Sequence, residues 1–371
     1  MRWAKDNAVL LISALLAAGS AILVPPDAAY LDYFDVPTLA TLFCMLASIS
    51  ALHGVRFFAA LAERIVGVFG SLRGVVVGFV LATALASSLF TNDMALLALL
   101  PLAALVLSAT GHAERLAFVF VMMTIAANLG GMVTPFGSPQ NLYLYSRYEI
   151  PAGEFAWIMA VPFAASMLLL LALCLAVPRE RIAAVPVRTA FEPRPTLLYL
   201  VLFALTVCMV LRIAPLWAGA LVPLALLVVD RRALARLDWG LMGTFVAFFV
   251  FAGNLARVPA VTQAFESLLQ GSVLLWSALS SQVISNVPSA ILLSRFTENY
   301  PELLVGVNIG GVGTLVASLA SLITLNEFRR LDRAGTGRFL VIFTVLNVAF
   351  FAVLLALTGA LFASGLHPGG G

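Results

Sequence analysis

The stretch SSLFTNDMALLALLPL, Ser87–Leu102, sets Asn92 and Asp93 side by side in a run otherwise fit for lipid. A charged side chain at that depth is costly, so an acid inside a membrane segment is by default a candidate functional group. Asp93 is the only one of the 18 acidic residues deep within an apolar stretch, and no Arg or Lys lies within 19 positions of it. Two readings compete. Thr91, Asn92 or Asp93 caps the half-helix that follows, since an acid at a helix start is well satisfied by free N–H groups, or the carboxyl serves a transported ion.

The rest of the chain places this segment in a membrane. Hydrophobic residues make up 62% and charged residues 11%, and apolar runs of spanning length recur throughout. Such a composition describes a polytopic membrane protein with the lipid bilayer as its solvent. A net charge of +3 from 21 basic and 18 acidic residues forms no basic stripe, so nucleic acid is excluded as a partner. Cys44, Cys174 and Cys208 lie in apolar segments without CxxC or Cys/His spacing, which reads as buried structural thiols rather than metal or redox chemistry. His53, His112 and His367 lie at segment ends or in the tail and read as solvated. The chain carries no paired aspartates, HExxH or GxSxG for hydrolysis, so it is not read as an enzyme and needs no cofactor.

Sidedness follows from charge. The segment Val9–Val24 is either a cleaved signal or a spanning helix, and its unbroken run to Pro25 favours the helix. Either way the loop 25–35, with Asp27, Asp32 and Asp35 and no Lys or Arg, lies outside and the N-terminus is cytoplasmic. Spans are predicted at 36–53, 116–146, 154–177, 196–211, 214–229, 239–253, 303–326 and 338–363. The stretch 272–296 is interrupted at Ser285-Asn286-Val287-Pro288, leaving halves of about 13 and 9 residues. Each is short of the ~20 residues that crossing takes, so a re-entrant hairpin is the economical reading. The stretch 74–108, interrupted at Thr91-Asn92-Asp93, has longer halves that fit either a hairpin or two crossings. With both treated as hairpins, seventeen Lys and Arg fall inside and only Arg147, Arg212, Arg257 and Arg295 fall outside. That asymmetry is the positive-inside pattern of a multi-pass protein, read here as bacterial inner membrane.

An internal repeat then emerges. After the span 36–53 come an amphipathic segment Val55–Phe69, whose Glu63 and Arg64 fit a wet face on the membrane surface, the first interrupted stretch, AANLGGMVTPFGSPQN (Ala126–Asn141) and the span 154–177. After the span 239–253 come an amphipathic segment Ala256–Gln270, the second interrupted stretch, GVNIGGVGTLVASLAS (Gly306–Ser321) and the span 338–363. Asn128, Gly130, Gly131 and Thr134 answer Asn308, Gly310, Gly311 and Thr314 at identical spacing, and Thr91-Asn92-Asp93 answers Ser285-Asn286-Val287. The two sets enter from opposite faces. The fold class is therefore read as an all-α polytopic membrane protein of two inverted-topology repeats, each with a re-entrant helical hairpin and a broken transmembrane helix.

In domain terms, residues 1–35 are the first transmembrane helix and outer loop, and 36–178 are repeat 1, with tip 91–93 and broken helix 116–146. Residues 179–238 are a cytoplasmic linker, 179–195, followed by connecting helices; 239–363 are repeat 2, with tip 285–288 and broken helix 303–326; 364–371 are a tail. The linker carries four arginines and three prolines.

Backbone leaves the helical ladder at membrane depth only where it is buried in protein or lines a wet cavity. Each hairpin tip starts a half-helix whose free N–H groups and dipole favour an anion, with Thr91, Asn92, Ser285 and Asn286 adding donors and acceptors. The opposing breaks, Asn128–Gly131–Thr134 and Asn308–Gly311–Thr314, expose carbonyl and hydroxyl oxygens that suit Na⁺. Ser138, Gln140 and Asn141, and Ser318 and Ser321 in the second copy, either reach the site or bond the nearby backbone. Na⁺ ligands are expected among Asn92, Asp93, Asn128, Asn286 and Asn308. An ionised Asp93 would favour bound Na⁺, whereas a carboxyl kept neutral by burial would carry H⁺.

On these motifs the chain resembles the ion transporter superfamily over about residues 36–363, the group of divalent anion/sodium symporters, citrate transporters, arsenite permeases and some sodium/proton antiporters. In the symporter branch a Ser-Asn-Thr triplet at each tip holds substrate and sodium. Ser285-Asn286-Val287 departs from it at the third position, and Thr91-Asn92-Asp93 departs toward the Asn-Asp tips of the arsenite and antiporter branches. The resemblance implies a unit bearing both tips that moves against a scaffold, and a homodimer. The expected function is secondary transport of a small anion, a carboxylate or inorganic oxyanion, coupled to Na⁺ or H⁺. The alternatives are efflux of an arsenite-type oxyacid, Na⁺/H⁺ antiport through Asp93, or a passive channel, which inverted halves with two closed ion sites fit less well.

Overall fold

Apolar helices dictate the architecture, because a helix satisfies every backbone hydrogen bond internally and lipid supplies none. The computed structural model describes residues 8–58, 60–61, 70–182 and 193–365, all of them helical or in connections, with one isolated bridge between Ser71 and Arg181. In chain order the helices are α1 (Ala8–Leu23), α2 (Val36–Gly54), α3 (Leu72–Leu89), α4 (Asn92–Ala109), α5 (Leu116–Gly130) and α6 (Pro139–Arg147). They continue with α7 (Ala152–Leu175), α8 (Pro193–Val210), α9 (Leu221–Val229), α10 (Arg231–Ala235), α11 (Trp239–Ala256) and α12 (Pro259–Gly271). The last five are α13 (Val273–Ile284), α14 (Asn286–Leu293), α15 (Tyr300–Ile309), α16 (Leu319–Leu331) and α17 (Thr336–Ala363).

Among the described residues seven helical stretches are long and apolar enough to cross a bilayer: α2, α3, α4, Ala113–Val133, α7, α11 and α17. The protein is an all-α, multi-pass membrane protein. In α17 the buried residues Phe339, Phe343, Asn347, Phe350, Leu354 and Thr358 recur every three or four positions, which is one helix face. The remaining face, with Val341, Val345 and Leu357, is apolar and exposed, as a lipid contact requires.

The predicted spans 116–146 and 303–326 are each two helices. α5 stops at Gly130, a single 3₁₀ turn Gly131–Val133 follows, and α6 starts at Pro139; α15 stops at Ile309 and α16 starts at Leu319. The span 214–229 opens as a 3₁₀ turn, Leu216–Ala220, after Pro215. The two interrupted stretches differ in length. α3 and α4 have 18 residues each, about 27 Å at 1.5 Å per residue, whereas α13 and α14 have 12 and 8. The segment 55–69 and the linker 179–195 are described only at 55–58, 60–61, 179–182 and 193–195; Glu63, Arg64 and His367 lie outside the described residues.

Small residues set the closest helix contacts, as they do between membrane helices generally. Gly306 of α15 and Gly310 just past its end, four apart, lie against Ser277 and Ser281 of α13, also four apart. A Cβ on Gly130 at the end of α5 would stand 2.6 Å from the Cα and 2.7 Å from the carbonyl oxygen of Ala84 in α3.

At one end of the molecule, Arg257 holds Asp27 through two hydrogen bonds, at 2.6 and 2.9 Å, and donates to the Tyr33 hydroxyl. The Arg257 guanidinium keeps the Asp27 carboxyl below its ordinary value of 3.8. A depressed carboxylate stabilises the fold fully above 3.8, and the contribution is lost as pH falls from there through the lowered value. Both groups are exposed, so the effect is small. Asp27→Asn is expected to lower the melting temperature slightly at neutral pH, with the gap to wild type closing below pH 3.8; a gap that persists in acid would contradict it.

Candidate functional site

The half-helix starts come first. Thr91 precedes α4 in an extended conformation and its side chain makes no capping bond. Instead Asn92 Oδ1 accepts from Asp93 N at 3.1 Å, and in the second copy Asn286 Oδ1 accepts from Val287 N at 2.9 Å. Capping therefore belongs to the asparagines and leaves Asp93 unused: its Oδ1 is buried with no hydrogen-bond partner. Ser285, before α14, has φ +76°, a left-handed conformation rare for serine and stored strain at the tip. It is held there by Ser285 Oγ and Asn286 N, which both donate to Ala317 O, at 3.2 and 3.0 Å.

Asn128, near the end of α5, joins the two copies. Its Oδ1 accepts from Asn92 Nδ2 at 3.2 Å and from Ser318 Oγ at 2.8 Å, and its Nδ2 donates to Gly311 O at 3.1 Å. Asn286 Nδ2 lies 3.0 Å from where a Cβ on Gly311 would stand. Asn92, Asn128, Gly311, Asn286 and Ser318 thus form one buried polar cluster fed by both half-helix starts. Thr124 Oγ1 donates to Thr324 Oγ1 at 2.7 Å, a further bond between the broken helices.

Asn308 faces another group. Its Nδ2 donates to Asn141 Oδ1 at 2.6 Å and its Oδ1 accepts from Gln140 Nε2 at 3.4 Å. Ser138 and Ser321 are buried with unpartnered hydroxyls. The threonines of the breaks do something else. Thr134 Oγ1 donates to Ser88 O at 2.6 Å and Thr314 Oγ1 to Gln282 O at 2.8 Å, each three residues before its tip. Thr134 is half-buried and Thr314 exposed, so neither hydroxyl joins the cluster.

The carbonyls of the breaks are also engaged. Asn141 Nδ2 lies 3.2–3.3 Å from the oxygens of Gly131, Met132 and Thr134, and Gln282 Nε2 lies 2.9–3.2 Å from those of Gly310, Val312 and Ala278. The sequence points to Asn141 by its spacing after Gly131. Gln282 carries a weaker signal, one amide in the apolar stretch ahead of Ser285. No group of three or more His, Cys, Asp or Glu that could hold a metal exists among the described residues.

A buried polar seam between broken helices is the geometry of a membrane transport path, and sequence comparison decides whose. The family profile described as Citrate transporter, CitMHS, matches residues 2–301. The chain belongs to that family. This citrate transporter family member is 30% identical to an uncharacterised transporter of Methanocaldococcus jannaschii over 86% of its own length and 88% of the relative's. It is 31% identical to the inner membrane protein YbiR of Escherichia coli over 80% of each chain. In fold it is similar to the crystal structure of the Alcanivorax borkumensis YdaH transporter, described as having an unusual topology, with a TM-score of 0.58, 15% identity and 97% of each chain covered. The family is one of transporters, and the chain is a multi-pass transporter rather than an enzyme.

Proposed function

We propose that this transporter moves a small anion, a carboxylate or inorganic oxyanion, by alternating access, driven by Na⁺ or H⁺. The carrying observation is the meeting of the α4 and α14 starts, through Asn128 and Gly311, in one buried cluster. Two helix N-termini turn their positive dipole ends toward the cluster, which favours an anion without a fixed positive charge, although at α14 the N–H groups of Asn286 and Val287 are already taken by Ala317 O and Asn286 Oδ1. No Arg or Lys joins the cluster among the described residues, so charge balance falls to the coupling cation or to a substrate of low charge. The matching ties from Thr134 to Ser88 and from Thr314 to Gln282 support the inverted-repeat reading. In that reading the second tip enters from the outer face and the N-terminus is cytoplasmic.

The unpartnered Asp93 oxygen supports a second reading, exchange of Na⁺ for H⁺, or efflux of a neutral oxyacid, with the carboxyl as the ion carrier. One experiment separates them. Proteoliposomes are loaded to impose a Na⁺ or a pH gradient, and uptake of labelled citrate, succinate, phosphate, sulfate and arsenite is followed for wild type and Asp93→Asn. Gradient-driven uptake of one anion, with Asp93→Asn folded but no longer responsive to the gradient, is the expected outcome. Na⁺-driven proton movement with no anion uptake would replace anion transport by antiport.

A further inference from the structure

We infer that neither helix break binds a cation, because the side-chain amides of Asn141 and Gln282 hold the places that cations would take. Each amide nitrogen gathers three backbone carbonyl oxygens: Gly131, Met132 and Thr134 around Asn141 Nδ2, and Ala278, Gly310 and Val312 around Gln282 Nε2. An NH₂ group has only two hydrogens, so each is oversubscribed. Several carbonyl oxygens converging on one point is otherwise how unwound membrane helices hold a small hard cation.

The orientation of both amides is fixed by what the oxygen end accepts. Gln282 Oε1 receives Thr314 N–H at 2.8 Å, and Asn141 Oδ1 receives Asn308 Nδ2 at 2.6 Å. A flipped amide would set its oxygen against three carbonyls and its NH₂ against a donor, so the nitrogens belong where they are. The positive end of a neutral dipole thus fills each carbonyl cage permanently. The two plugs come from different places, one seven residues beyond its cage's last carbonyl and in the next helix, the other from the hairpin ahead of its break. Nothing in the repeat pattern copies one onto the other: the position matching Asn141 is Ser321, and that matching Gln282 is Ser88.

The consequence rests on the transport reading above. A coupling cation then enters only beside Asp93, and Asn141 and Gln282 decide how many cations travel with each cycle.

The test is equilibrium binding of ²²Na⁺ to purified protein, with melting temperatures in sodium against choline chloride. Asp93→Asn is expected to bind no sodium and to melt at the same temperature in both salts. Asn141→Asp and Gln282→Glu each put a carboxylate against the carbonyls, so each is expected to bind one more sodium per chain than wild type and to be restored by sodium from a lowered melting temperature. Sodium retained by Asp93→Asn, or equal counts in wild type and in a folded Asn141→Asp or Gln282→Glu, would overturn the inference. Should both carboxylate variants fail to fold in either salt, the Asp93→Asn count still decides. Failure of anion uptake in proteoliposomes is a separate result, which would sink the transport reading while leaving these counts as they are.

Discussion

Asn128→Leu abolishes uptake and lowers the melting temperature more than loss of any other single side chain in the buried cluster. Leucine matches asparagine closely in shape but can neither accept from Asn92 Nδ2 and Ser318 Oγ nor donate to Gly311 O. Three buried polar groups then lose partners. In soluble proteins each would cost about 1–3 kcal/mol. Bonds between membrane helices average nearer ~0.6 kcal/mol, because the alternative state finds partners too. Even on the lower figure the sum approaches about 2 kcal/mol, read as a clear drop in melting temperature in detergent. Transport falls further, since Asn128 sets the spacing between the two half-helix starts. A variant with uptake within a factor of two of wild type would remove Asn128 from the site.

The second large effect is steric. Gly130→Ala places a methyl 2.6 Å from the Cα of Ala84, a backbone atom that no rotamer change can move. Overpacking of this kind costs typically about 1–3 kcal/mol. Gly310→Ala has the same chemistry and a partly softer neighbourhood, with Ser281 Cβ at 2.6 Å, Ser281 Oγ, which can rotate, at 2.7 Å, and the main-chain oxygen of Gly306 at 2.9 Å. The first is expected to lose more stability and more transport than the second. Ala84→Gly cannot rescue it, because the clash is with the main chain of that residue. Equal melting temperatures for the two glycine variants, or rescue by Ala84→Gly, would show that α3 and α5 have room to part.

Much of this was legible in the sequence for physical reasons. Apolar runs of twenty residues have one stable outcome in lipid, and Gly130-Gly131 and Gly310-Gly311 at matched spacing announce where the helices stop. The importance of Asn128 was readable from its place two residues before the glycines. The division of labour among the polar residues was not. Thr134 and Thr314 look like oxygen ligands in sequence, yet both hydroxyls are donors to backbone carbonyls of the preceding hairpin. Such a bond depends on how α3 lies against α5 and α13 against α15, which no local pattern encodes. Gln282 escaped for the same reason, its partners being 28 and 30 residues away. The tips also differ in a way that matched motifs hide, since only Ser285 adopts a left-handed backbone.

The unequal hairpins have an electrical meaning. α3 and α4 extend about 27 Å from the first tip, whereas α13 and α14 extend about 18 and 12 Å from the second. On the proposed inverted-repeat reading, with the two hairpins entering from opposite faces, the point where the tips meet is nearer one face of the membrane than the other. A charge moved across the whole bilayer gains about 2.3 kcal/mol per 100 mV, and that work divides in proportion to depth. On that reading an ion arriving along the first hairpin would cross the greater share of the field, and membrane voltage would bias loading from that side more than release on the other.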